Sequence, residues 1–362
     1  MPNGPEDLDP SPTLTVSPPV PPAGPLMAIG GAEDKLGRRT ILNHFVTLAG
    51  GSDARIVVVP TASSLGPEIV EVYDALFRRL GAGEVMVARP ESREEAEDPE
   101  LVARLDNATG VFMTGGNQLK LSAIVNGTAF GEALKAAHRR GVVVAGTSAG
   151  ASIQSSHMVA FGTGGSTPKQ RMTQLAAGLG LVRDVVIDQH FGQRNRYGRL
   201  LMLVAQSPQL LGIGIDEDTA AVITEEDGRE LLRVIGKGVV TIFDGRAIVS
   251  NAHEARRTAP LLASGVVMHV LPAGSLFDLA TKALVREPVP VDPATAEELA
   301  LAGRDLRRLA RDIAAGDISP TVLRRRRARQ QHDDQHQDDL HYDEQHHDDG
   351  QRGDPSRQGD LA

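Results

Sequence analysis

Between residues 26 and 215 the chain alternates short apolar runs with longer amphipathic stretches, and this alternation limits the folds open to it. The runs are Leu26–Gly30, Arg55–Pro60, Glu84–Ala88, Gly110–Thr114, Val142–Gly146, Val185–Asp188 and Leu211–Ile215. Most are nearly continuous Val, Ile, Leu and Met, as strands covered on both faces require. Helical patterns near residues 36–48, 67–80, 93–104, 117–139 and 194–206 separate them. Such alternation predicts an α/β fold, a mostly parallel sheet with helices on both faces. After Ala220 the pattern changes. The segments AAVIT, LLRVIG and VVTIFD, with a turn at Asp227-Gly228, predict an antiparallel C-terminal extension, which Leu261–Val270 and Ser275–Ala280 are candidates to continue. Thr295 and Glu298 form a capping box ahead of an amphipathic helix over 295–314.

The two ends do not share this pattern. Residues 1–25 hold nine of the 22 prolines, which predicts a disordered Pro-rich arm. Arg324–Arg329 holds five arginines, and residues 330–362 carry ten acids, two arginines and five of the eleven histidines. That tail has too little apolar surface to offset its ordering entropy. The expected organisation is therefore an arm over 1–25, one catalytic α/β domain over 26–320, and a basic hinge with a disordered His/Asp-rich tail over 321–362. The formal net charge of −9 divides into −8 in the tail, +5 in the arginine run and −6 in the rest.

Composition narrows the chemistry. With no cysteine, disulfides, thiolate metal sites and a cysteine nucleophile are excluded. An acidic balance, with 3% aromatics and no Trp, argues against a nucleic-acid partner. No apolar run approaches the ~20 residues of a membrane span, and residues 1–25 show no secretory pattern. The expectation is a cytoplasmic protein with no membrane partner, no metal and no cofactor.

In parallel sheets, active sites gather at the carboxyl ends of the strands. The run Val142–Gly146 leads into Gly146-Thr147-Ser148-Ala149-Gly150, a G-x-S-x-G pattern between a strand and a helix. Such a nucleophile elbow holds the Ser148 hydroxyl at a helix N-terminus beside free backbone amides. One strand earlier, Thr114-Gly115-Gly116-Asn117-Gln118 ends in an unshielded glycine pair. The amides of Gly116 and Ala149 are candidates for an oxyanion hole, and Gln118 lies at the same mouth. His190 follows Val185–Asp188 directly and is the best candidate base; His44 and His138 are expected on helix surfaces. For the carboxylate that orients the histidine, the spacing leaves Asp216 and Glu217 as equal alternatives. Arg194, Arg196 and Arg199 crowd a helix start, where cations are unfavourable unless an anion occupies the site. Guanidinium forks pair with carboxylates, so an acidic ligand is expected.

Together GTSAGA around Ser148, TGGNQ at 114–118, DQHF and the arginines at 188–200, GIGIDEDTA at 212–220 and Gly30–Lys35 resemble the cyanophycinase family, serine peptidases related to aspartyl dipeptidase. The resemblance covers roughly residues 26–285. It implies a fold like that of class I glutamine amidotransferases and a triad of Ser148, His190 and Glu217. It also implies a substrate pocket lined by Gln118, Asp188, Gln189, Arg194, Arg196 and Arg199. On charge, the arginines are expected to position substrate carboxylates and Asp188 to face a substrate guanidinium. The implied substrate is cyanophycin, a poly-aspartate carrying arginine on its side-chain carboxyls, and the implied products are β-aspartyl-arginine dipeptides. A homodimer is implied as well. Asn195 stands where the family often has glycine. The rival readings are an aspartyl dipeptidase or isopeptidase on short peptides and a non-catalytic cyanophycin binder.

Overall fold

A computed structural model describes residues 22–286. The predicted helix over 295–314, the arginine run, the His/Asp-rich tail and the arm up to residue 21 lie outside the described residues. The elements in chain order are β1 (Leu26–Ile29), α1 (Thr40–Leu48), β2 (Arg55–Val59), α2 (Glu68–Arg79), β3 (Glu84–Val87), α3 (Pro99–Ala103), β4 (Gly110–Met113), α4 (Gln118–Val125), α5 (Ala129–Arg139), β5 (Val143–Thr147) and α6 (Ala149–Ser152). They continue with β6 (His157–Gly162), β7 (Thr173–Ala177), β8 (Val185–Gln189), α7 (Tyr197–Gln206), β9 (Leu211–Ile215), β10 (Thr219–Glu226), β11 (Arg229–Gly236) and β12 (Val239–Asp244). Short strands close the described chain: β13 (Val249–Ser250), β14 (Ala263–Ser264), β15 (Val267–Pro272), β16 (Leu276–Asp278) and β17 (Ala283–Arg286).

Strands β1, β5, β4, β2 and β3 lie side by side in that order, all parallel. Antiparallel β10, β11, β16 and β17 extend the β1 edge to nine strands. The other two long apolar runs, β8 and β9, pair with each other in parallel in a second sheet, with β12 and β15 antiparallel beyond β9. The antiparallel extension is thus divided between the sheets. Gly236, at φ 107°, turns the chain from one to the other, and a Cβ there would lie 2.3 Å from the Asp218 carbonyl oxygen.

Alternation along each strand sorts side chains onto two faces. Met27 and Ile29 of β1, Ile56 and Val58 of β2 and Phe112 of β4 pack with Ile41, Phe45 and Phe77 from α1 and α2. Leu26, Ala28, Val57, Val59, Val111 and Met113 face the other way, onto Leu121, Phe130 and Leu134 from α4 and α5. Both faces of the parallel strands are therefore dry, which explains their unbroken apolar runs. The helical pattern over 117–139 forms two helices. Gly127 breaks it at φ 68°, and Thr128 caps α5 by accepting from the Gly131 amide. The β6–β7 hairpin had no signal among the predicted strands, because its mixed, partly exposed residues lack a sustained period.

Candidate active site

Strand β5 ends at Thr147 and α6 starts at Ala149, so Ser148 alone makes the turn. Its backbone sits at φ 52°, ψ −106°. Such a conformation costs a non-glycine residue about 1–3 kcal/mol and persists only when its surroundings impose it. Here the Ser148 amide donates to the Ile29 carbonyl of β1 at 2.9 Å, and the Ser148 carbonyl accepts from Ala151 at 3.0 Å. The glycines on either side permit the fold-back. A Cβ at Gly146 would lie 2.1 Å from the Gly150 oxygen, and one at Gly150 would lie 2.3 Å from the Met113 oxygen.

The histidine arrives from the second sheet. His190 follows β8 at φ 47°, and its amide donates to the Gly30 carbonyl at 2.7 Å, which ties the two sheets together at their carboxyl ends. Its Nε2 stands 3.1 Å from Ser148 Oγ, and its Nδ1 stands 2.6 Å from Glu217 Oε1. The spacing left two acids open, and their partners separate them. Asp216 accepts from the Gly192 amide at 2.9 Å and the Val239 amide at 3.3 Å, so it braces the backbone. Burial lowers the His190 pKa below its ordinary 6.5, Glu217 opposes this through its hydrogen bond, and Arg194 and Arg196 reinforce it. The imidazole is therefore neutral at pH 7: Nδ1–H donates to Glu217, and Nε2 can accept the Ser148 proton.

Of the two predicted oxyanion donors, Ala149 is the first residue of α6, where a helix amide has no intrahelical acceptor. The glycine pair of the TGG turn lies beside the hydroxyl. A Cβ at Gly115 would lie 3.9 Å from Ser148 Oγ, while Gly116, at φ 143°, presses on the Ala62 carbonyl. Away from the histidine, the Ser148 hydroxyl is 3.3 Å from Gln189 Oε1, the Gln189 amide donates to Gln118 Oε1 at 3.4 Å, and the Gln118 amide donates to the Val159 carbonyl. Both predicted glutamines thus line one wall of the site.

The arginine cluster differs from expectation. Asp188 is fully buried and accepts from Arg199 Nε at 2.6 Å, from Arg199 Nη2, and from Arg196 Nη1 at 3.2 Å. The anion that the three cations require is supplied for two of them by the chain itself. Asp188 accordingly faces guanidinium groups of its own chain, a correction to the expectation of a substrate guanidinium there. Burial lowers the Arg196 pKa to about 10 against the pull of Asp188. Arg194 remains exposed at the lip. Asn195 adopts φ 47°, the left-handed geometry that asparagine tolerates. His138 is also corrected: it is buried, with Nε2 2.8 Å from the Gly24 carbonyl oxygen.

Sequence reasoning assigned no role to Glu33. Its buried carboxylate accepts from Thr147 Oγ1 at 2.6 Å, Tyr73 Oη at 2.6 Å and Lys35 Nζ at 2.7 Å, directly under the Ser148 turn. Burial pushes its pKa up, but Lys35 and these hydrogen bonds bring it below the ordinary value. The only signal was the polar GGAEDK turn after an apolar strand.

A model of peptidase family S51 matches residues 26–231. The cyanophycinase of Nostoc sp. is 42% identical over 256 residues, covering 70% of this chain and 85% of that protein. The cyanophycinase of Geminocystis herdmanii is 38% identical over 258 residues, covering 71% and 94%. A crystal structure of a peptidase from an acI-B1 Actinobacterium is similar at 23% identity and a TM-score of 0.49, covering 68% of this chain and 98% of that one. The chain therefore belongs to peptidase family S51, with cyanophycinases among its relatives, and is a serine-type peptidase.

Proposed function

We propose that this chain is a cyanophycinase, which cuts the poly-aspartate backbone of cyanophycin and releases β-aspartyl-arginine dipeptides. The observation that carries the mechanism is the relay from Ser148 Oγ to His190 at 3.1 Å and from His190 to Glu217 at 2.6 Å. His190 Nε2 takes the Ser148 proton as Oγ attacks a backbone aspartyl carbonyl. The amides of Gly116 and Ala149 hold the developing oxyanion. His190 then returns the proton to the leaving amine, and the C–N bond breaks. Water, deprotonated by the same histidine, hydrolyses the ester and restores the Ser148 hydroxyl. Glu217 keeps the imidazole in its working tautomer and stabilises the cation formed in passing.

Gln118 and Gln189 hold the substrate's peptide groups, and Arg194 offers its free guanidinium to a substrate carboxylate. Arg196, Arg199 and Asp188 act as a unit that shapes the wall behind them. A cytoplasmic homodimer belongs to the same reading, and sedimentation and cell fractionation check it. The deciding experiment incubates the protein with purified cyanophycin and weighs the products. Expected are β-aspartyl-arginine dipeptides from the native protein and none from Ser148→Ala. Turnover of short aspartyl dipeptides in place of the polymer would overturn the reading.

A further inference from the structure

A cavity of about 530 Å³ opens beside the site, between the loop over 163–172 and the arginine segment. Thr163, Ser166, Thr167, Lys169, Arg171 and Asn195 line it, and no acidic side chain does. Its volume is that of a small-ligand site, and its charge selects an anion. The loop is braced on several sides. The Gly165 amide donates to the Asn195 carbonyl at 2.6 Å, Gln170 to Ala259 at 2.9 Å, and Leu261 to Pro168 at 2.9 Å. Arg199, held by Asp188, also donates to the Gly162 carbonyl at 3.0 Å. The cavity is therefore built before any ligand arrives.

Strand β6 connects this cavity to the Ser148 site. Its Val159 carbonyl accepts from Gln118, and Thr163, four residues on, lines the cavity. At about 3.3 Å per residue the run from Val159 to Thr163 spans about 13 Å. Between the two lies Phe161, 55% exposed at an irregularity in the β6–β7 pairing. An exposed aromatic face attracts a guanidinium. Along this path the surface thus presents an aromatic ring and then two cations.

We propose that the cavity is a second binding subsite for the same polymer. This rests on the reading of the chain as a cyanophycinase. Lys169 and Arg171 pair with the arginyl α-carboxylates of repeat units beyond those at the scissile bond, and Phe161 stacks on a guanidinium in between. Each repeat unit carries both charges, so the path matches the polymer and has no counterpart in a short aspartyl peptide. The subsite holds the chain while Ser148 cuts.

The test measures co-sedimentation with insoluble cyanophycin in a Ser148→Ala background, where the polymer stays intact. Adding Lys169→Gln and Arg171→Gln is expected to weaken binding about tenfold, the sum of two exposed charge pairs. Adding instead Lys169→Arg and Arg171→Lys, which keeps both charges, is expected to hold binding within about twofold. Equal thermal unfolding midpoints across the variants exclude misfolding as the cause. Unchanged binding in the glutamine variant, or no binding by any variant, overturns the subsite. Dipeptide release by protein with Ser148 intact is read separately. If polymer binding depends on Lys169 and Arg171 but no dipeptide appears, the cyanophycinase reading falls and the subsite stands.

Discussion

Gly31 lies flat against the imidazole of His190, so close that a Cβ at position 31 would come within 2.3 Å of Cε1 and 2.5 Å of Nε2. The glycine also sits at φ 98°, a region where side chains are strained. Its absent side chain lets the first turn of one sheet seat the histidine of the other. Gly31→Ala is therefore expected to displace the ring from Ser148. Peptidase turnover should fall at least about a hundredfold, since small misplacements of a catalytic group cost that much. Stability should fall by only about 1–3 kcal/mol. A turnover assay beside a denaturant titration checks both, and wild-type turnover would remove Gly31 from the account.

Glu217→Gln keeps the shape of the acid but loses its charge and its preference for one tautomer. Turnover should drop on the order of 10⁴-fold, the size seen when such an acid is replaced in a serine triad. Asp216→Asn touches only backbone amides and should cost far less turnover. Equal losses for the two would mean that His190 does not depend on Glu217.

The pH profile follows from the His190 environment. Burial, Arg194 and Arg196 favour the neutral ring over the cation, against the pull of Glu217. The base works only when neutral, so kcat/KM should rise with pH through a midpoint below 6.5, the ordinary histidine value. Arg194→Ala removes one of the repelling cations and should move that midpoint upward. A midpoint that stays put in this variant would show that Arg194 does not act on the ring.

Glu33 couples the Ser148 turn to acid stability. Its folded pKa lies below the ordinary value of 4.5, so its stabilisation is complete above that pH and is lost as pH falls through the folded value. Unfolding midpoints should therefore decline more steeply below pH 4.5 in the native protein than in Glu33→Gln. At neutral pH that substitution should cost about 1–3 kcal/mol, because buried Tyr73 and Thr147 hydroxyls lose a charged acceptor.

Arg199→Met leaves buried Asp188 with one guanidinium, the longer contact to Arg196, beside its bond from the Gln189 amide. Breaking a buried ion pair from one side costs about 3–5 kcal/mol, and denaturant titration should show a loss of that order. A loss below 1 kcal/mol would mean that Arg196 alone compensates Asp188.

Much of this protein is legible in the chain without coordinates. Hydrophobic periodicity is local, so the seven apolar runs mark their strands to within a residue or two at each end. The Ser148 elbow is legible for the same reason: a serine between small residues directly after an apolar strand is a local pattern. Spacing alone did not decide between Asp216 and Glu217; the family resemblance pointed to Glu217, and the partner atoms separate the two by geometry. Two things depended on the tertiary structure. It put β8 and β9 in a second sheet, so that Ser148 and His190 meet across a seam. It also decided who neutralises whom. Arg196 and Arg199 look like free cations along the chain, yet both are held by Asp188, and Glu33 looks like a turn residue, yet it sits buried beneath Thr147. Burial and facing set the partner of a charge, and both arise only when distant segments pack.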